Sequence, residues 1–346
     1  MQNIKLFIHP CFPKTGSTFF QQNILPKVKN IVSLRKPKTN KFFEFNKLFK
    51  KIFIENFSIK TDLHNKIYSD LSIKKSFINL FYDIVKNQEK KIFVLSDEDT
   101  FGLIGLNGFR NIYVFKDLIN ELKKKDILVD IKFIFTIRNQ ADFILSSYAY
   151  NYFYWKKKWK VFEDFKTAIF KDEELRSIFN YCEICNEINK IFNTKPIILP
   201  LELIEKGEKE RIDYINIINE NFNSDIKYGN IDFEQTPKKN SFEEKNRKNF
   251  FLKHDNQFIK GVYYKLQEIH FYLKKFSLYK KNFLYLKPLF NNFLKFFEKK
   301  IKKPQSKKSF IYFNDEETKL IKNLFFSDNK KLEELTDLNL EKLNYY

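Results

Sequence analysis

The sequence predicts an α/β fold with a central parallel sheet, on three observations. Short runs of continuous apolar character alternate with segments whose apolar residues recur at helical spacing. The runs are apolar at successive positions, as in strands covered by helices on both faces. Polar clusters stand where the runs end, at the carboxyl edge where such sheets bind ligands.

The elements follow in order. Ile4-Lys5-Leu6-Phe7-Ile8 predicts a buried strand and Pro10 to Gly16 a turn, and Thr18 to Val28 has helical spacing. Lys41 to Phe57 and Asp62 to Lys86 place Phe, Leu and Ile on one helical face and make 40–90 a helical insertion. Lys91 to Ser96 is the second strand, with Asp97-Glu98-Asp99 at its end, and Asn111 to Lys125 a helix. Ile131 to Ile137 is the third strand, and Asn139 to Trp155 and Arg176 to Phe192 are helices. Ile197 to Leu201 is the fourth strand and Glu208 to Asn221 a helix. Residues 223–246 are polar and irregular. Residues 247–303 are rich in Lys and aromatics, in helical patterns broken at Pro288 and Pro304, and Asp315 to Tyr346 predicts one helix and a short tail. The organisation expected is a single domain, 1–346, with 247–346 as a helical C-terminal extension.

Composition narrows the classes. Of 346 residues, 43% are hydrophobic and 18% aromatic, which excludes disorder along the whole chain. Seven Gly and nine Pro exclude a collagenous chain. The formal charge is +20, and only six of the 63 basic residues are Arg. Lys, Asn, Ile, Phe and Tyr share A/T-rich codons, so genome composition accounts for much of this bias. An anionic partner (nucleotide, acidic glycan or membrane surface) is the other reading. Cys11, Cys182 and Cys185 are an odd set with no disulfide pattern, and the C-x-x-C pair lies in a helical segment without a second pair for zinc, so it is expected to be one turn in a core. No secretory signal is read, and Phe143 to Trp155 is too short and polar to span a bilayer. The compartment expected is the bacterial cytoplasm, with contact at the inner face of the membrane left open.

Pro13-Lys14-Thr15-Gly16-Ser17-Thr18 lies between a strand and a helix. Backbone N–H groups of such a turn, with a helix N-terminus behind them, form an anion site. Gly16 admits a close backbone approach, Ser17 and Thr18 offer hydroxyls, and Lys14 a mobile cation. The loop lacks the G-x-x-x-x-G-K-[ST] order of nucleoside triphosphatases. Where the third strand ends, Arg138 is followed eight residues on by Ser146, about two helical turns into the next segment. The two can face one anion.

Together these residues resemble the sulfotransferases that use 3′-phosphoadenosine 5′-phosphosulfate (PAPS) and release the desulfated product PAP. The likeness covers residues 4–30 and 91–205, and Phe325 to Leu332 also looks like the tail helix of bacterial members. The resemblance implies a P-loop-like three-layer fold. It further implies that Lys14 contacts the phosphosulfate and that Pro13, Thr15, Gly16, Ser17 and Thr18 form the 5′-phosphate loop. Arg138 and Ser146 would hold the 3′-phosphate. The family uses a His or Glu as base. Glu98 is the first choice at the end of its strand, with Asp97 and Asp99 as rivals. His9, before the loop, is expected to be packed or capping, and Glu44 sits on a helix whose placement does not follow from the sequence. Asp142 is expected to order the start of its helix. No metal site is expected.

The expected activity is therefore sulfuryl transfer from PAPS to a hydroxyl or amine acceptor, a surface carbohydrate or its precursor. A nucleic acid is not the expected partner, and the oligomeric state is not legible. A nucleotide-dependent kinase of P-loop-like fold, or a non-enzymatic basic protein for nucleic acid or membrane, is the alternative. The aromatics and lysines of 247–303 could meet a glycan or membrane, but amphipathic helices with Lys outward account for them equally.

Overall fold

The computed structural model describes residues 2–10, 12, 15–34, 44–45, 48–49, 71–97, 108–155, 158–159, 161–233, 292 and 311–346. Pro13, Lys14, Glu98, Asp99 and nearly all of 247–303 lie outside them.

Five strands are seen among the described residues: β1 Gln2–His9, β2 Ile31–Ser33, β3 Ile92–Ser96, β4 Ile127–Ile137 and β5 Ile197–Pro200. All pair in parallel, in the order β2-β3-β1-β4-β5. The α/β fold with a parallel sheet is thus present. β1 and β4 are longer than their apolar runs because their pairing continues to Gln2↔Ile127. β2 is a strand that the apolar pattern does not announce. It is three residues long, and pairing with β3 carries it: Val32 faces Phe93, and the Leu34 N–H donates to Val94 O at 2.9 Å.

Ser17–Phe19, a π-turn Phe20–Ile24 and a 3₁₀ turn Leu25–Lys27 follow β1 and are together termed α1. The other helices are α2 Leu71–Lys86, α3 Gly108–Lys123, α4 Gln140–Trp155, α5 Phe162–Lys171, α6 Glu173–Ser177, α7 Tyr181–Phe192, α8 Glu202–Glu205, α9 Glu208–Phe222 and α10 Asp315–Thr336. The segment expected as one helix, Arg176 to Phe192, is broken. Asp172 caps α6 by accepting the Leu175 N–H at 3.0 Å, and Asn180 caps α7 by accepting the Glu183 N–H at 3.2 Å. Two Asx caps so close together start two helices. Cys182 and Cys185 are buried in α7, one turn of the core. Burial raises both thiols' pKa values, so neither is an activated nucleophile. Of the helices expected in 40–90, α2 is described together with Phe45 and Phe49, and Phe45 stacks on Phe77 at 4.9 Å.

Both faces of the sheet are covered. Phe7 of β1 stacks on Phe222 of α9 at 4.1 Å. Ile8, pointing the other way, is in register with Phe133, which packs on Phe115 of α3 and Phe192 of α7. Phe93 lies on that second face, against Phe81 of α2. Leu6, Phe7, Ile8, Phe93, Phe133 and Ile134 are at most 1% exposed, which explains runs with no polar alternation.

The chain forms two compact units. Met1–Ser147, Glu163–Ser241 and Phe313–Tyr346 make the first, which holds the sheet. Tyr148–Phe162 and Phe242–Tyr312 make the second. Within the second, the Tyr148 hydroxyl donates to Trp159 O at 3.5 Å and its ring packs on Phe162 at 5.1 Å. In the first, α10 begins on a capping box: Asn314 Oδ1 accepts the Glu317 N–H and Glu317 Oε2 accepts the Asn314 N–H, both at 2.8 Å. Lys166 of α5 ties α10 down through Glu317 at 2.6 Å.

Candidate functional site

The parallel sheet brings the carboxyl ends of β3, β1 and β4 side by side. Each candidate cluster of the sequence is attached to one of these tips. Connections leave β1 toward β2 and β3 on one side and reach β4 on the other. Such a reversal opens a crevice beside the central strand.

At the tip of β1, Gly16 has φ +93° and precedes the first helical turn, and its C=O accepts the Phe20 N–H at 3.1 Å. A β-carbon here would lie 2.9 Å from Leu201 Cδ1. Glycine is therefore favoured by backbone hand, and a β-carbon would in addition displace the end of the Leu201 side chain. Thr15 is fully buried; its hydroxyl donates to Phe12 O at 2.7 Å and lies 2.9 Å from Thr136 Oγ1 of β4. It pins the loop to the neighbouring strand, so its contribution to an anion is limited to its backbone N–H. Ser17 is buried and Thr18 half-buried.

Between the tips of β1 and β3, His9 is fully buried. Its Nδ1 is 2.8 Å from Ser96 Oγ, which also accepts from Gln21 Nε2 at 2.9 Å, and its ring meets Phe20 edge-on at 4.5 Å. This is the packed histidine the sequence led one to expect. The Asp97 N–H donates to His9 O at 3.1 Å, one more rung of the β1–β3 ladder. Glu98, the next residue, and Asp99 lie outside the described residues.

At the tip of β4, Arg138 and Ser146 come together: Arg138 Nη1 donates to Ser146 Oγ at 3.4 Å. Arg138 Nη2 pairs with Asp142 at 2.9 Å, the side chain being 16% exposed. Its Nε is buried without a hydrogen-bond partner. Ser146 donates its proton to Asp142 O, so its oxygen is presented to the guanidinium. Asn139, rather than Asp142, caps α4, its Oδ1 accepting the Asp142 N–H at 3.0 Å. The Asp142 carboxylate turns back to Arg138 and Asn139 Nδ2.

Several residues that frame this corner carry no spacing signal in the sequence. The Tyr181 hydroxyl donates to Arg138 O at 2.7 Å from 43 residues away. Glu202 Oε1 accepts the Asn139 N–H at 2.7 Å and Asn139 Nδ2 at 3.1 Å, from 63 residues away. Tyr345 lies 2.9 Å from Glu202 Oε2, 143 residues on. Burial raises the Glu202 pKa, against the pull of the bonds from Asn139 and Tyr345. Burial also raises the Tyr345 and Tyr181 hydroxyls, so both stay protonated.

The Glu202 shift predicts a pH dependence. With its folded pKa above the unfolded value of 4.5, native Glu202 holds its proton where the unfolded chain has lost it. Stability from this group is full below pH 4.5 and falls as pH rises through the raised native pKa. Glu202→Gln removes the titration, so the wild-type minus variant difference in urea-denaturation stability should decline across that window. A flat difference from pH 4 to 8, about where neutral-range assays lie, contradicts it.

Among the described residues no three His, Cys, Asp or Glu side chains are grouped to hold a metal ion, and no helix is long and apolar enough to cross a membrane. Compared with family models, with curated proteins and with solved structures, the chain matches none.

Proposed function

We propose that the chain is a sulfotransferase of P-loop-like fold, moving a sulfuryl group from PAPS to a hydroxyl or amine, with a bacterial carbohydrate as the acceptor class. One observation carries the reading: Arg138 stands at the tip of β4 with Ser146 at 3.4 Å and a buried Nε–H that lacks a partner. A buried donor without a partner costs about 1–3 kcal/mol, and a phosphate oxygen would relieve it. The glycine-cornered loop on the adjacent strand supports a second phosphate contact, and strand order β2-β3-β1-β4-β5 with that loop at the centre supports the P-loop-like arrangement.

PAPS would supply the sulfuryl group, whose sulfur bonds to the acceptor oxygen as its bond to the 5′-phosphate oxygen breaks. The backbone N–H groups of Thr15 to Thr18 and the Ser17 and Thr18 hydroxyls would hold the 5′-phosphate. Arg138 and Ser146 would hold the 3′-phosphate. Lys14 would neutralise charge gathering on the leaving oxygen, and Glu98 would take the acceptor's proton. The excess of Lys, at +20 overall, favours an anionic donor and acceptor. The cytoplasm, at or near the inner membrane face, is where such a donor and a glycan precursor meet.

Thermal-shift titration tests the reading directly. PAP should raise the melting temperature well beyond ADP at equal concentration, because PAP alone carries a 3′-phosphate for Arg138. Equal shifts from ADP and PAP, or a larger one from ATP, would sink the donor assignment and favour the kinase alternative.

A further inference from the structure

The corner bearing Arg138 is held from the far end of the chain by two separate routes. In the first, the hydroxyl of Tyr345 meets Glu202 Oε2 at 2.9 Å, and Glu202 Oε1 accepts from the backbone N–H and from Nδ2 of Asn139. In the second, the Tyr345 carbonyl accepts from Asn329 Nδ2 at 3.3 Å. Asn329, 1% exposed, pairs its amide reciprocally with that of Gln140 at 2.8 and 3.1 Å. The routes end on Asn139 and Gln140, the two residues directly after Arg138.

The tail is fixed for this task. Leu340 and Leu343 are buried, and Glu333 Oε1 accepts the N–H groups of Leu340 and Glu341 at 2.6 and 3.3 Å. Apolar burial alone would need only the leucines. A phenol and a carboxyl buried face to face are costly groups that earn their place through direction, because each fixes the other's orientation.

We infer that Tyr345 is a positioning residue for the anion site at Arg138, acting through Glu202 and Asn139. This rests on the reading of Arg138 as a phosphate-monoester site. Asn139 transmits the constraint at both ends of its amide: Oδ1 caps α4, and Nδ2 meets the Asp142 carboxylate that aims the guanidinium. Without the hydroxyl, Glu202 turns, Asn139 loosens, and Arg138 samples orientations that do not fit a phosphate.

Tyr345→Phe in the full chain removes one oxygen and keeps the ring. Three readouts apply. The PAP dissociation constant should rise about tenfold, the scale of one hydrogen bond to an ionisable group, while that of ADP changes by less than about twofold. KM for PAPS should rise with kcat nearly held. The backbone amide of Asn139 should exchange hydrogen faster, while amides inside β1 and β4 keep their rates. Tyr346→Phe, one residue on and outside both routes, controls for general loosening of the tail and should alter none of the three. Should Tyr345→Phe not fold, Glu202→Ala breaks the same link from its other side and should give the same pattern.

The arms separate the two ideas. A wild-type protein that binds PAP no better than ADP overturns the donor reading. Unchanged Asn139 exchange and PAP affinity in Tyr345→Phe, with wild-type preference for PAP intact, overturn the positioning role alone. An equal loss for PAP and ADP overturns it as well, since the effect is then not confined to Arg138.

Discussion

Glu98→Gln should bind PAP as the wild type does and transfer sulfuryl about 10²–10⁴ times more slowly, the usual contribution of a positioned base. The substitution keeps side-chain length and removes basicity. Its rationale lies in the strand that precedes it. β3 runs beside β1, and the ladder continues one rung past Ser96, with the Asp97 N–H bonded to His9 O. The chain therefore leaves β3 beside the carboxyl end of β1. Ser96 and His9 are fully buried and bonded to each other, so neither is placed to meet an acceptor from solvent. Asp97 is half-buried at the strand end and is the nearest rival. Asp97→Asn and Asp99→Asn should each slow transfer less than Glu98→Gln. If Asp97→Asn is the slowest of the three, the base is Asp97 and the strand end is shifted by one residue. If all three transfer at the wild-type rate, the base comes from elsewhere.

The sheet was legible because burial on both faces leaves a chemical trace. KLFI, IFVL, IKFIFTI and IILP have few polar residues to interrupt them, and each is a strand. β2 left no such trace, since three residues on a sheet edge depend on pairing with β3 rather than on their own pattern. α5 is only ten residues long, and a lysine interrupts the apolar stripe of its buried face, Phe162, Phe165, Lys166 and Ile169. The corner at Arg138 was half legible. The strand end and the eight-residue spacing to Ser146 are local, and the structure brings the two side chains together. Its supports, Tyr181, Glu202, Asn329 and Tyr345, are ordinary residues in ordinary surroundings until the fold carries them across 43 to 189 residues of chain. Thr15 shows the opposite case. The resemblance places Thr15 in the 5′-phosphate loop, and the fold uses its hydroxyl to fasten that loop to Thr136.

Arg138→Ala should weaken PAP by about 2–5 kcal/mol, the cost of leaving one partner of a desolvated charge pair alone, and should leave ADP nearly unaffected. The guanidinium is mostly buried, with one fork on Asp142 at 2.9 Å and one on Ser146 at 3.4 Å. The contact with Asp142 sets its direction and competes for its charge. The large loss therefore requires that a phosphate find donors beyond that pair, and the buried Nε–H and the remaining η protons are such donors. Arg138→Lys keeps the charge but not the planar fork, so it should recover only part of the affinity. Asp142→Asn removes the competing carboxylate while keeping a side chain that can still meet Asn139 and Arg138. It should bind PAP at least as tightly as the wild type. The expected order of PAP affinity is Asp142→Asn and wild type first, Arg138→Lys next and Arg138→Ala last, with ADP flat across the series. Isothermal titration at fixed salt measures it, because a charge effect on both nucleotides would otherwise shift with ionic strength. If ADP falls in parallel with PAP, Arg138 serves the corner of the sheet and not a 3′-phosphate, and the anion site lies wholly in the loop after β1.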